Sequence, residues 1–195
     1  MTPEQTLAFL GFAVVMAGTP GPSNALLTTT AANVGVVRGL SALAGVAAGM
    51  ASMMFLVVIG LGTLILHTPL LVTAVKWLGA AVLLWFAWKI GTSGESADHA
   101  GRPIGFLGAA AFQWVNPKSW LACTSAAATF VGQGSAFSQA VTLALLFVLA
   151  AVPACFVWLA FGAVVQNALR SAKARRRFNV VMAILLAASV LLLVV

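Results

Sequence analysis

Residues 39–66 read GLSALAGVAAGMASMMFLVVIGLGTLIL, and no charged side chain interrupts them. The run exceeds the roughly 20 apolar residues that carry an α-helix across a bilayer. The rest of the chain has the same character. A soluble domain is about 45–50% apolar and about 25% charged. This chain of 195 residues is 62% hydrophobic and 7% charged, with a mean hydropathy of +1.09. A β-barrel needs alternating segments of about 10 residues, and none is visible. The composition therefore predicts an all-α, polytopic membrane protein whose partner is the lipid bilayer.

Working outward from residues 39–66, polar breaks divide the chain into six expected spans. The first covers about Thr6 to Thr30, interrupted at Thr19-Pro20-Gly21-Pro22. The second is the opening run, closed by His67-Thr68-Pro69. The third covers Leu70 to Ile90 and is followed by a polar stretch from Gly91 to Pro103 that holds Glu95 and Asp98. The fourth covers Ile104 to Val131, interrupted at Asn116-Pro117-Lys118. The fifth covers Phe137 to Val165 and contains Pro153. A basic loop then leads to a sixth from about Asn179 to Val195.

Charge sets the expected orientation. Arg38, Lys89, Arg102, Arg170, Lys173 and the run Arg175 to Arg177 all fall after odd-numbered spans, whereas the opposite side has only Lys76. By the positive-inside rule the odd loops are cytoplasmic and both termini face outward. This also accounts for the net charge of +7 without a nucleic-acid partner. The first basic residue is Arg38, so no signal peptide is expected at the start. Cys123 and Cys155 lie within apolar runs, where small packed side chains are expected rather than a disulfide or a metal site.

The two halves resemble each other, with repeat one at about 1–97 and repeat two at about 98–195 of a single membrane domain. Phe9-Leu10-Gly11 recurs as Phe106-Leu107-Gly108, and the same offset carries Pro20 onto Pro117, Ala25 onto Ala122 and Thr28 onto Ser125. With three spans per half, the second copy enters the membrane from the other side. Two inverted three-helix repeats, with helices 1 and 4 broken at matching places, are a signature of secondary transporters.

A proline inside a helix removes a donor and displaces the carbonyl four residues earlier. Pro20 and Pro22 should free the carbonyls of Met16 and Gly18, and Pro117 that of Gln113. Such groups are tolerated at membrane depth only where protein or a wet cavity satisfies them. Packing kinks would give a lone proline the same appearance, but here two matching breaks each have polar neighbours. The candidate substrate site is therefore Pro20, Gly21, Pro22, Ser23 and Asn24 with Gln113, Asn116, Pro117 and Lys118. Lys118 lies roughly 18–21 Å of helix from either end of its span, beyond the reach of snorkelling. An ionisable group at that depth marks a functional position or a lysine held by freed carbonyls. A free amino acid suits such a site, its carboxylate at Lys118 or at a half-helix N-terminus and its ammonium at carbonyls. The only acids are Glu4, Glu95 and Asp98, all outside the spans, so neutral amino acids are expected. Trp114 and Trp120 flank the second break and are read as packing, as is the small-residue pair Gly45 and Gly49.

The motifs Thr19-Pro20-Gly21-Pro22-Ser23-Asn24 and Phe112-Gln113-Trp114-Val115-Asn116-Pro117-Lys118 resemble the two signatures of the LysE/RhtB exporter family. Trp85-Phe86-Ala87-Trp88-Lys89-Ile90 is similar to the same family, most to members that export cysteine and O-acetylserine. The resemblance spans essentially the whole chain. It implies export of amino acids across the bacterial cytoplasmic membrane, driven by the proton-motive force. Lysine exporters of the family tend to carry an acid in span two, where this chain reads Gly45-Val46-Ala47-Ala48-Gly49-Met50.

Other classes fit less well. No cofactor is called for, and an intramembrane enzyme would need a His, acidic or Cys constellation at depth. No phosphate loop is present for an ATP-driven pump. A channel or a non-transporting scaffold remains the alternative, and exposed glycine faces permit a homodimer.

Overall fold

A computed structural model describes residues 1–92, 104–168 and 171–194 of the chain. Glu95, Asp98, Arg102 and Arg170 lie outside the described residues. Among those residues every regular element is helical. Helix α1 (Pro3–Gly18) opens on a reciprocal cap, in which Thr2 Oγ1 accepts from the Gln5 N–H and Gln5 Oε1 accepts from the Thr2 N–H. It stops at Thr19 because Pro20 and Pro22 cannot donate to the preceding turn. Helix α2 (Pro22–Leu56) starts with proline at its first position, where the missing N–H costs nothing.

α2 is not one straight rod. Gly35 sits at φ 81° and ψ 170°, a left-handed backbone that only glycine adopts easily. Continuous helix would separate Thr28 from Gly39 by about 16 Å. Instead Thr28 Oγ1 donates to the Trp158 carbonyl (3.1 Å), while Gly39 lies against the Leu159 side chain. Both therefore contact one turn of the same neighbouring helix, and the chain folds back on itself at Gly35. The second stretch of α2 then runs into a π-helical turn (Val57–Leu61), with Gly60 at φ 127°, and a short α3 (Gly62–Leu66).

The remaining helices are α4 (Pro69–Thr92), α5 (Phe106–Val115), α6 (Pro117–Phe130), α7 (Ala136–Ala168) and α8 (Ala172–Val194). Among the described residues, three stretches are long and apolar enough to cross a bilayer, namely Pro22–Leu64, Pro69–Thr92 and Ala136–Val165. The basic run expected in a loop is instead part of the first turns of α8. Arg, Lys and Ala are all good helix formers, so the helix extends upstream of its apolar part.

Packing fixes the relative directions. Phe9 and Phe12 of α1 meet Phe130 at the end of α6 (ring centroids 5.2 and 5.9 Å apart), and the end of α1 meets Lys118 at the start of α6. These two helices are antiparallel. The second stretch of α2 runs parallel to α5, since Ser41 accepts from the Phe106 N–H and Gly49 lies against the Ala110 carbonyl. A Cβ on Gly49 would stand 2.5 Å from that oxygen, so the small-residue pair does serve close helix approach. α7 packs against α1 and α2, and α4 against α8. Large apolar side chains such as Leu107, Leu145, Leu149 and Val164 point outward and are largely exposed, as suits faces turned to lipid.

Candidate functional site

The chain leaves α1 at Thr19 and enters α2 at Pro22; it leaves α5 at Val115 and enters α6 at Pro117. The two interruptions are neighbours in space. Lys118 Nζ donates to the carbonyl of Thr19, to Thr19 Oγ1 (2.8 Å) and to the Pro20 carbonyl (3.4 Å). Gly21 makes this possible, because a Cβ there would stand 2.8 Å from Lys118 Cδ. The lysine stem thus lies against bare backbone, and its ammonium is held by three neutral oxygens.

Beside this clasp a second set of bonds joins the two breaks. Ser23 Oγ donates to Gln113 Oε1 (2.9 Å) and accepts from Asn116 Nδ2 (2.8 Å). Ser119 Oγ donates to the same Gln113 oxygen at 2.9 Å. Asn116 also caps its own helix, accepting from the Lys118 N–H through Oδ1 (3.1 Å). Gln113, Asn116 and Ser119 are almost fully buried, and each polar side chain has a partner, as burial demands.

The freed carbonyls have specific partners. The Met16 carbonyl accepts from Thr19 Oγ1 (3.3 Å), the Gly18 carbonyl from Trp158 Nε1 (3.0 Å), and the Gln113 carbonyl from the Asn116 N–H (3.2 Å). Asn24 Nδ2 donates to the carbonyls of Ala17 (2.8 Å) and Thr19 (2.7 Å). The three carbonyls expected to await a ligand ammonium are therefore engaged by the protein. Two carbonyls at that range fix the orientation of the Asn24 amide, because an oxygen there would face two acceptors. Asn24 Oδ1 is left facing the Cys155 thiol at 3.8 Å, a weak donor.

A cavity of about 40 Å³ lies against this network. Its polar side is made by Gly21, Ser23, Asn24, Gln113, Asn116, Lys118 and Ser119, its apolar side by α1, the second stretch of α2, and α7. Six of the nine residues expected in the site line it; Pro20, Pro22 and Pro117 shape the breaks without lining it. Lys118 is the only cation among its lining residues, and no carboxylate is among them. The N-termini of α2 and α6 both reach it, adding partial positive charge. Among the described residues, nothing accepts from the N–H groups of Ser23 and Asn24 in the first turn of α2. The polar side of the cavity is electropositive and faces an apolar wall.

The family described as LysE type translocator matches residues 14–195. The chain belongs to that family. It is 32% identical over 188 residues to the cysteine/O-acetylserine efflux protein of Salmonella choleraesuis (strain SC-B67), covering 95% of each chain. It is 34% identical over 188 residues to the protein of the same name from Escherichia coli (strain K12), again covering 95% of each. No solved structure matches the chain.

In this LysE-type translocator, several residues of the site were not among those expected from sequence. Ser119 shares the Gln113 oxygen, Trp158 caps the first break, and Cys155, Phe147 and Met50 line the cavity. Ser119 follows Lys118 directly and could have been found from its place in the first turn after a break. Trp158 and Cys155 gave no such signal, because tryptophan and cysteine within apolar runs read as packing. Trp114 and Trp120 do pack as expected, with Trp120 Nε1 donating to the Trp114 carbonyl at 2.7 Å, and neither lines the cavity. Both cysteines are free and buried, and His67 is exposed between α3 and α4.

Proposed function

We propose that this translocator is a secondary exporter of small neutral amino acids or their derivatives, of the cysteine/O-acetylserine or homoserine/threonine type, across the bacterial cytoplasmic membrane. The observation that carries the reading is the placement of Lys118 in the opposite break, beside a cavity with no carboxylate. A zwitterion supplies what that cavity lacks. Its carboxylate would take Lys118 and the open N–H groups of α2, and its ammonium would turn to Asn24 Oδ1. A substrate with a second positive charge would find no partner, which disfavours lysine and arginine. The names of the similar proteins support the same class of cargo.

In this reading the protein crosses the membrane six times as two inverted halves. The crossings are α1 with the first stretch of α2, the second stretch of α2 with α3, then α4, α5 with α6, α7 and α8. Antiparallel packing of α1 on α6 supports the inversion. The basic residues support termini on the outer face. An impermeant thiol reagent tests that orientation. Ser135→Cys should react from outside intact cells, and Ser171→Cys only after permeabilisation.

The transport test is efflux from proteoliposomes loaded with labelled cysteine, O-acetylserine, homoserine, threonine or lysine. Neutral amino acids should leave and lysine should stay, and Lys118→Met should stop the efflux with the protein still in the membrane. No movement of any amino acid from wild-type vesicles would leave a scaffold as the better reading.

A further inference from the structure

The apolar side of the cavity has a consequence for selectivity that the electropositive side does not. Val46, Ala47 and Met50 of α2 and Phe147 and Ala151 of α7 line the cavity, and Met50, Phe147 and Ala151 belong to one packed core. Met50 and Phe147 are the bulky members and are 6% and 2% exposed, held by a core that also contains Met53, Met54 and Leu143. The residues of this wall carry no charge, and the Cys155 thiol is the one side-chain hydrogen-bond donor among them. The cavity has room for about three waters, so how far this wall stands back sets which side chain fits beside a bound amino-acid backbone.

We infer that Met50, Phe147 and Ala151 form a size filter, so that α2 and α7 decide which neutral side chain is exported while the breaks bind the part common to all amino acids. The inference rests on the export reading above. With the carboxylate at the end of Lys118 and the ammonium at Asn24 Oδ1, the Cα substituent has only this wall to face. An apolar wall rejects by volume. One methylene too many in such a pocket changes selectivity by about 10–200-fold. The small residues Ala47 and Ala151 are as important as the large ones, because they set the space that remains.

The test is competitive efflux of labelled serine and leucine from proteoliposomes of the full chain. Wild type should favour serine. Met50→Ala should raise the leucine-to-serine ratio by at least about 10-fold. Ala151→Val should act in the opposite sense, losing O-acetylserine efflux before serine efflux. Should Met50→Ala fail to insert, Met50→Val and Ala151→Val carry the same comparison with smaller volume changes. Unchanged ratios in variants that still move serine would overturn the filter and leave the export reading standing. A wild-type protein that moved no neutral amino acid, cysteine and O-acetylserine included, would overturn both.

Discussion

At the first break three residues, Thr19, Pro20 and Gly21, leave helical geometry; at the second only Asn116 does. The second break is closed locally. Its N-cap side chain accepts from the Lys118 N–H, and its own N–H returns to the Gln113 carbonyl. The first break has no side-chain cap on α2. Its carbonyls are satisfied by Asn24 from the next turn, by Lys118 from α6 and by Trp158 from α7. One break is therefore a local structure, and the other is completed by the rest of the fold. A site built from such a pair has one side closed by its own helix and one side closed by residues from other helices.

Lys118→Met separates the two most sharply. Efflux should be abolished, while stability in detergent should fall only modestly, by about 1 kcal/mol, since Lys118 is half-buried and the Thr19 carbonyl keeps its bond from Asn24. A large loss of stability instead would mean that the lysine is a structural strut of the first break. Asn24→Ala comes next. It strips the amide from two carbonyls at once and should cost about 2–4 kcal/mol, more than one unmade bond, and reduce efflux as well. Trp158→Phe removes one donor from the same break. A loss of about 1–3 kcal/mol is expected, with transport slowed less than in Asn24→Ala. The smallest effect belongs to the other side. Asn116→Ser keeps a good N-cap and gives up only the link to Ser23, so the unfolding midpoint should fall by no more than about 1 kcal/mol in equivalent terms. A cost in Asn116→Ser as large as in Trp158→Phe would remove the distinction between a local and a completed break.

How much of this was legible in the sequence follows the same division. The apolar runs, both proline breaks and the small-residue pair Gly45 and Gly49 were readable because they are local patterns in the chain. The pairing of the breaks was readable in outline from the repeated offset of Phe9, Pro20 and Ala25 onto Phe106, Pro117 and Ala122. The partners of the freed carbonyls were not. Trp158 lies 140 residues from Gly18, and an indole within an apolar helix has no local mark of a cap. The start of α8 was missed for a different reason. Polarity marks where a helix leaves lipid, not where it begins, and the basic residues from Lys173 onward are helical all the same.

The distance along the chain between the first break and its partners also sets an order of events during synthesis. Lys118 is made 99 residues after Thr19, and Trp158 comes 140 residues after Gly18. At roughly 5–20 residues per second, the ribosome delivers these partners roughly 5–30 s after the break itself has emerged. Throughout that interval the Gly18 and Pro20 carbonyls lack the partners that the later chain supplies, while Thr19 and Asn24 can already reach those of Met16 and Ala17. A chain cut before Lys118 should then be degraded faster than the full chain, and supplying the remainder as a separate chain should slow that loss.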